Sequence, residues 1–132
     1  MNTSTTNLTV LYGASGSGKT RKLREIEWQG DHDCVLRIGA QTLADDLLDS
    51  IRSGLENTTT LARYREVGTL LVDNLWVLAR RPCMAGYVRD LIASRMSNGL
   101  NTILASDMTP AQWSAKQPDM FELLSKGDIV SL

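Results

Sequence analysis

LTVLYGASGSGKT, residues Leu8 to Thr20, reads as a strand, a glycine-rich turn and the first turn of a helix. Leu8, Val10, Leu11 and Tyr12 supply the strand. The turn follows the pattern G-x-x-x-x-G-K-[ST], filled by Gly13, Gly18, Lys19 and Thr20, with Gly16 as an extra glycine. Several backbone N–H groups must face one polyphosphate here. The chain must therefore bend tightly and come close, which glycine permits. The helix that begins near Gly18 adds unpaired N–H groups and the positive end of its dipole. Lys19 supplies a point charge for the β- and γ-phosphates, and Thr20 a hydroxyl for Mg²⁺. The phosphate contacts expected are Gly13, Ala14, Ser15, Gly16, Ser17, Gly18, Lys19 and Thr20. A plain Gly/Ser turn between two core elements is the alternative. The strand before it and the charged helix from Thr20 to Trp28 after it, with Leu23 and Ile26 on one face, set that aside.

The bulk numbers are those of an ordinary soluble domain. There are 132 residues, 42% hydrophobic and 22% charged, with a formal net charge of −1, enough chain for one real core. No global basic signature for nucleic acid is present. Cys34 and Cys83 lack C-x-x-C spacing and are expected as buried small hydrophobes. His32, the only histidine, is expected in an exposed loop. No apolar run approaches membrane-spanning length, and MNTSTTN has neither a basic nor a hydrophobic region, so a cytoplasmic protein is expected.

Along the chain, residues 1–7 are expected to be disordered. Gly30 to Asp33 form a turn, and Cys34 to Ile38 a second short strand ended by Gly39. Thr42-x-x-Asp45 resembles a capping box opening a helix, with Leu43, Leu47, Ile51 and Leu55 at four-residue spacing and Gly54 or Asn57 as its end. Asn57 to Thr60 reads as a polar connection and Leu61 to Val67 as a short segment. TLLVD, Thr69 to Asp73, is apolar without alternation, as in a parallel strand covered on both faces. A helix follows from Met84 to Asn98, then a strand from Thr102 to Ala105 with Ser106 and Asp107 at its end. Thr109-Pro110 and Pro118-Asp119 start two short helices, and Asp128 to Leu132 is a fifth strand. Strands alternating with helices predict a doubly wound α/β sandwich, mostly parallel. Its ligands sit at the C-terminal strand ends, where Thr20, Asp73 and Asp107 fall.

A magnesium nucleotide needs a carboxylate near Thr20. Asp73, about fifty residues after the phosphate loop and following Leu70-Leu71-Val72, is the candidate, so Thr20 and Asp73 form the expected metal pair. Asn74 stands where many ATPases carry a carboxylate. It can orient water but cannot take its proton, so hydrolysis is expected to be slow or absent.

Taken together, YGASGSGKT, ADDLLDSIRSG, ARYREVGTLLVDNLWVLA and TILASDMTP resemble, in order, the motifs of the bacterial replication initiator DnaA family, within the AAA+ class. The resemblance runs from about Leu8 to Leu132. It implies a three-layer P-loop NTPase sandwich with a five-stranded sheet in the order 5-1-4-3-2, with Asp107 at the sensor 1 position beside the γ-phosphate. ATP or ADP with Mg²⁺ are the implied ligands, and another replication protein or a second copy the implied partner. It also places single-strand DNA contacts in the region Arg52 to Arg65, where Arg63, Tyr64 and Arg65 offer charge and stacking; a solvated helix face with Tyr64 in the core is the plainer reading. Initiators carry a helical lid and a helix-turn-helix domain after the fifth strand. This sequence stops before both, so one P-loop domain over residues 1–132 with no lid is expected. The arginine-finger segment is represented by MFELLSKGD, in which Lys126 is the only basic residue, so activation by a neighbouring subunit is not expected. The function implied is a minimal nucleotide-binding module, regulator or adaptor in DNA replication. The alternatives are a small P-loop kinase, using Arg80, Arg81, Arg89 and Arg95, and an interaction module with a disused phosphate loop.

Overall fold

All strand pairings run parallel, and together they give one sheet in the order β2-β3-β4-β1-β5. This is the implied order read from the other edge. The computed structural model describes residues 7–14, 16–30, 34–53 and 59–132. They form β1 (Leu8–Tyr12), α1 (Lys19–Gln29), β2 (Val35–Gly39), α2 (Ala40–Ser53), α3 (Thr59–Glu66), β3 (Thr69–Asp73), a 3₁₀ helix (Leu75–Arg80), α4 (Pro82–Ser97), β4 (Asn101–Ser106), α5 (Pro110–Lys116), α6 (Pro118–Leu124) and β5 (Asp128–Ser131). Residues 1–6, Ser15, the Asp31–Asp33 turn with His32, and the Gly54 and Asn57 helix end lie outside the described residues.

The central strands bury alternate side chains in two different cores. Leu8 and Val10 of β1, Leu70 and Val72 of β3 and Leu104 of β4 join the larger one, with residues of α2, α3, α4, α5 and α6. Leu11, Leu71, Ile103 and Ala105 point the other way, where Leu23 of α1 meets them with Ile26 and Val35 at the margin. A strand covered on both faces has no polar side to show, which is why TLLVD reads as a continuous apolar run. Helix α1 is further held by an Arg37 Nε–Glu27 Oε1 ion pair at 2.9 Å, which joins it to β2.

Several boundaries differ from expectation. α2 begins at Ala40, directly after Gly39, so Thr42 is inside the helix and caps nothing. α3 is a helix from Thr59, where a polar connection and a short segment were expected. α4 begins two residues before Met84, with Pro82 in its first turn, where the missing N–H costs nothing. Cys34 and Cys83 are both exposed rather than buried: one precedes an edge strand, the other sits in the open first turn of α4. The Thr109 cap is as expected. Its side chain accepts from Gln112 N while Gln112 Oε1 accepts from Thr109 N, a complete capping box. None of the described helices is long and apolar enough to cross a membrane.

Candidate nucleotide site

The site is built where β1, β3 and β4 end. The Gly13 N–H donates to Ser106 O (3.3 Å), tying the loop's root to β4. A side chain at Gly13 would have its Cβ 2.7 Å from Ser17 Oγ and 3.1 Å from Leu132 O, so glycine is required there by space. Gly16 (φ 87°) and Gly18 (φ 99°) are left-handed with open space beside them; there it is conformation that demands glycine. Gly18 immediately precedes α1 as its left-handed N-cap, so the helix opens directly from the loop.

Lys19 is buried. Its Nζ donates to Gly13 O (2.6 Å) and Ala14 O (3.0 Å), lies 3.4 Å from Ser17 Oγ, and forms an ion pair with Asp107 Oδ1 at 2.7 Å. Thr20 Oγ1 donates to Asp73 Oδ2 at 2.7 Å, and the backbone N–H of Asn74 donates to Asp73 Oδ1 at 2.8 Å. Asn74 is the only non-glycine among the described residues with positive φ, at 57°. Asparagine tolerates that conformation better than most residues, and here it turns the chain from β3 into the 3₁₀ helix. Ser106 Oγ accepts from Met108 N (3.0 Å) and Trp113 Nε1 (3.2 Å), fixing the β4 end on which Asp107 stands.

A cleft of about 270 Å³ is lined by Gly16, Gly18, Lys19, Thr20, Arg21, Asp73, Asn74 and Asp107. Of the sequence-predicted residues, Gly16, Gly18, Lys19, Thr20, Asp73, Asn74 and Asp107 meet at this cleft, Gly13, Ala14 and Ser17 are not among its lining, and Arg21, which the sequence did not single out, is. Ser15 lies outside the described residues. A larger cavity, about 440 Å³, lies between α2, α3 and α4 and is lined by Leu47, Ile51, Leu61, Arg65, Tyr87, Asp90, Leu91 and Ser94. It holds no glycine loop and no lysine, so the smaller cleft is the one suited to a polyphosphate. The donor set suits a hard cation too. Among the described residues no cluster of three His, Cys, Asp or Glu side chains exists. One hydroxyl and one carboxylate would leave the ion its waters and phosphate oxygens, as Mg²⁺ requires.

Two other expectations are decided. Tyr64 is buried and its hydroxyl donates to Asp46 Oδ2, which is the plainer of the two readings given for it, and it offers no face for base stacking; Arg63 and Arg65 beside it are exposed. Arg95, counted among four arginines for phosphotransfer, is fully buried and cannot reach a substrate.

Comparison with known proteins agrees with this geometry. The bacterial DnaA ATPase domain family matches residues 2–130. The chain is 29% identical over 132 residues to the chromosomal replication initiator protein DnaA 2 of Protochlamydia amoebophila, covering 97% of this chain but 29% of that protein. Among solved structures, domain III of the Thermotoga maritima replication initiation protein DnaA superposes with a TM-score of 0.82 at 24% identity, over 98% of this chain and 55% of that one. AMPPCP-bound DnaA from Aquifex aeolicus gives 0.80 at 22% identity, over 99% and 42%. At these identities the structural likeness establishes the fold. The chain spans less than a third of the curated relative and about half or less of these solved chains.

Proposed function

The chain belongs to the bacterial DnaA ATPase domain family, and from that premise we propose that it is a single nucleotide-binding domain that takes Mg-ATP or Mg-ADP and acts in the cytoplasm as a regulator or adaptor in DNA replication. The observation that carries this reading is the meeting of Thr20 Oγ1 with Asp73 Oδ2 at 2.7 Å, in the cleft that Lys19 also lines. Fifty-three positions separate these two residues in sequence, and a shared hydrated cation is the chemistry that needs them together. When bound, Mg²⁺ would neutralise phosphate charge; Thr20 and Asp73 would hold it. The loop N–H groups and Lys19 bind the phosphates. Lys19 leaves its two carbonyl acceptors to do so, while Asp107 keeps its head group aimed into the cleft.

Asn74 keeps the reaction slow. Its side-chain amide can orient a water molecule but cannot accept a proton. Asp107 stands at the end of β4 as the residue that would respond to the terminal phosphate. The AMPPCP-bound relative supports an adenine nucleotide as the ligand. Arg63 and Arg65, exposed on α3, are the proposed contacts for single-stranded DNA, through charge without stacking. A second replication protein or a second copy of the chain completes the assembly.

Calorimetric titration with Mg-ATP and Mg-ADP tests the reading. Both are expected to bind wild type, and Lys19→Ala is expected to lose binding. Absence of heat with both nucleotides, or unchanged affinity in Lys19→Ala, ends it. Asn74→Asp is expected to raise hydrolysis modestly.

A further inference from the structure

Arg21 lines the cleft, and the fold holds its charge only loosely. We propose that it is a phosphate-binding residue, an inference that rests on the nucleotide reading above. The residue follows Thr20 in the first turn of α1 and faces the same space as Lys19, Asp73, Asn74 and Asp107. Its side chain is 85% exposed, and its ion pair among the described residues is with Glu25, at 3.7 Å from Nε. That separation is too long for a hydrogen bond, and the pair is of the loose i,i+4 kind that water and salt weaken.

The charges around the cleft show why this cation matters. The lining carries two cations, Lys19 and Arg21, and two carboxylates, Asp73 and Asp107. Lys19 is already matched by Asp107 at 2.7 Å, and Asp73 is reserved for a metal. Without Arg21 the wall facing a polyanion would be net negative. A guanidinium offers several N–H donors in a planar fork that suits phosphate oxygens. The long stem reaches from the helix surface without disturbing the loop, and leaving Glu25 costs little. Arg21 therefore supplies in cis, from the helix that carries Lys19 and Thr20, the charge that brings the lining's two carboxylates to balance.

The test titrates wild type, Arg21→Gln and Arg21→Lys with Mg-ATP, Mg-ADP and inorganic tripolyphosphate, the last a probe without base or sugar, at low and high salt. Thermal melting confirms that the variants fold. Arg21→Gln is expected to weaken all three ligands roughly tenfold at low salt, the scale of one charge-assisted hydrogen bond, and by less at high salt. Arg21→Lys is expected to lose less. Unchanged affinity in Arg21→Gln, or a loss confined to the nucleotides with tripolyphosphate unaffected, overturns the assignment. A wild-type chain that binds none of the three overturns the nucleotide reading, and the role of Arg21 with it.

Discussion

Arg95 carries a full charge into the core, and no carboxylate pairs with it among the described residues. Its three bonds go to neutral oxygens instead: Nε to Thr102 Oγ1 (3.0 Å), Nη1 to Tyr64 O (2.9 Å) and Nη2 to Asn101 O (2.7 Å). Burial lowers its pKa from 12.5 to about 10, so it stays charged at neutral pH. The guanidinium ties the end of α3 to α4 and to the start of β4. Arg95→Ala is expected to destabilise the fold by about 3 kcal/mol, because two buried acceptors and a partly buried one lose their donor at once; urea denaturation measures it. Tyr64, at the same junction, has its phenol pushed well above the usual value of 10 by burial first and by the Asp46 hydrogen bond and charge second. A raised folded-state pKa means that the folded chain keeps a proton the unfolded chain sheds. The stabilisation is therefore complete below pH 10 and is lost as pH rises beyond it. Arg95, with a lowered value, pulls the opposite way over the same range, so the comparison must be with Tyr64→Phe. That variant is expected to show a shallower fall in stability above pH 10 than wild type in alkaline denaturation curves.

Helix ends show where an element's boundaries were legible and where they were not. Thr109-Pro110 was readable, because a cap hydroxyl and a proline act locally and Gln112 completes the box three residues on. Thr109→Ala is expected to cost about 1 kcal/mol, read as a lowered melting temperature with nucleotide affinity unchanged. Thr42-x-x-Asp45 carried a similar local signal and failed. Gly39 ends β2 and the helix starts on the next residue, so tertiary position had fixed the boundary before the threonine arrived. In place of capping, Gln41 Nε2 donates to Asp45 Oδ1 within the helix (2.9 Å). The cysteines failed for a related reason: apolar neighbours in sequence do not make a buried position at the open end of a strand or helix. The glycine pattern of the loop was legible because its backbone demands are written in residue types at fixed spacing: Gly16 and Gly18 are left-handed and Gly13 has no room for a side chain. Arg21 was not, since an arginine on a charged helix looks like any solvated residue until the cleft is drawn around it.

At the scale of the whole molecule, the two faces of the sheet are unequally covered. Helices α2, α4 and α6 share the larger core, whereas α1 contributes Leu23 to a small one of five buried residues. That same helix begins with Lys19 and Thr20. Stability and ligand binding should therefore be coupled through it. Leu23→Ala is expected to cost about 3 kcal/mol through the cavity it leaves and to weaken Mg-ATP binding. Excess nucleotide is expected to restore part of the lost melting temperature, since a ligand at a hundred times its dissociation constant stabilises by about 2.7 kcal/mol. A Leu23→Ala protein that loses stability but keeps wild-type affinity would show the two to be separate. The indole of Trp113 has a different use. It is enclosed in the core, and its nitrogen rests on Ser106, one residue from Asp107. Trp28, by contrast, is 86% exposed at the far end of α1. With Trp28 and Trp76 replaced by phenylalanine, the remaining emission would report from behind the Asp107 end of the cleft. The protein thus carries an intrinsic optical gauge, and stopped-flow fluorescence could time nucleotide arrival without an added dye.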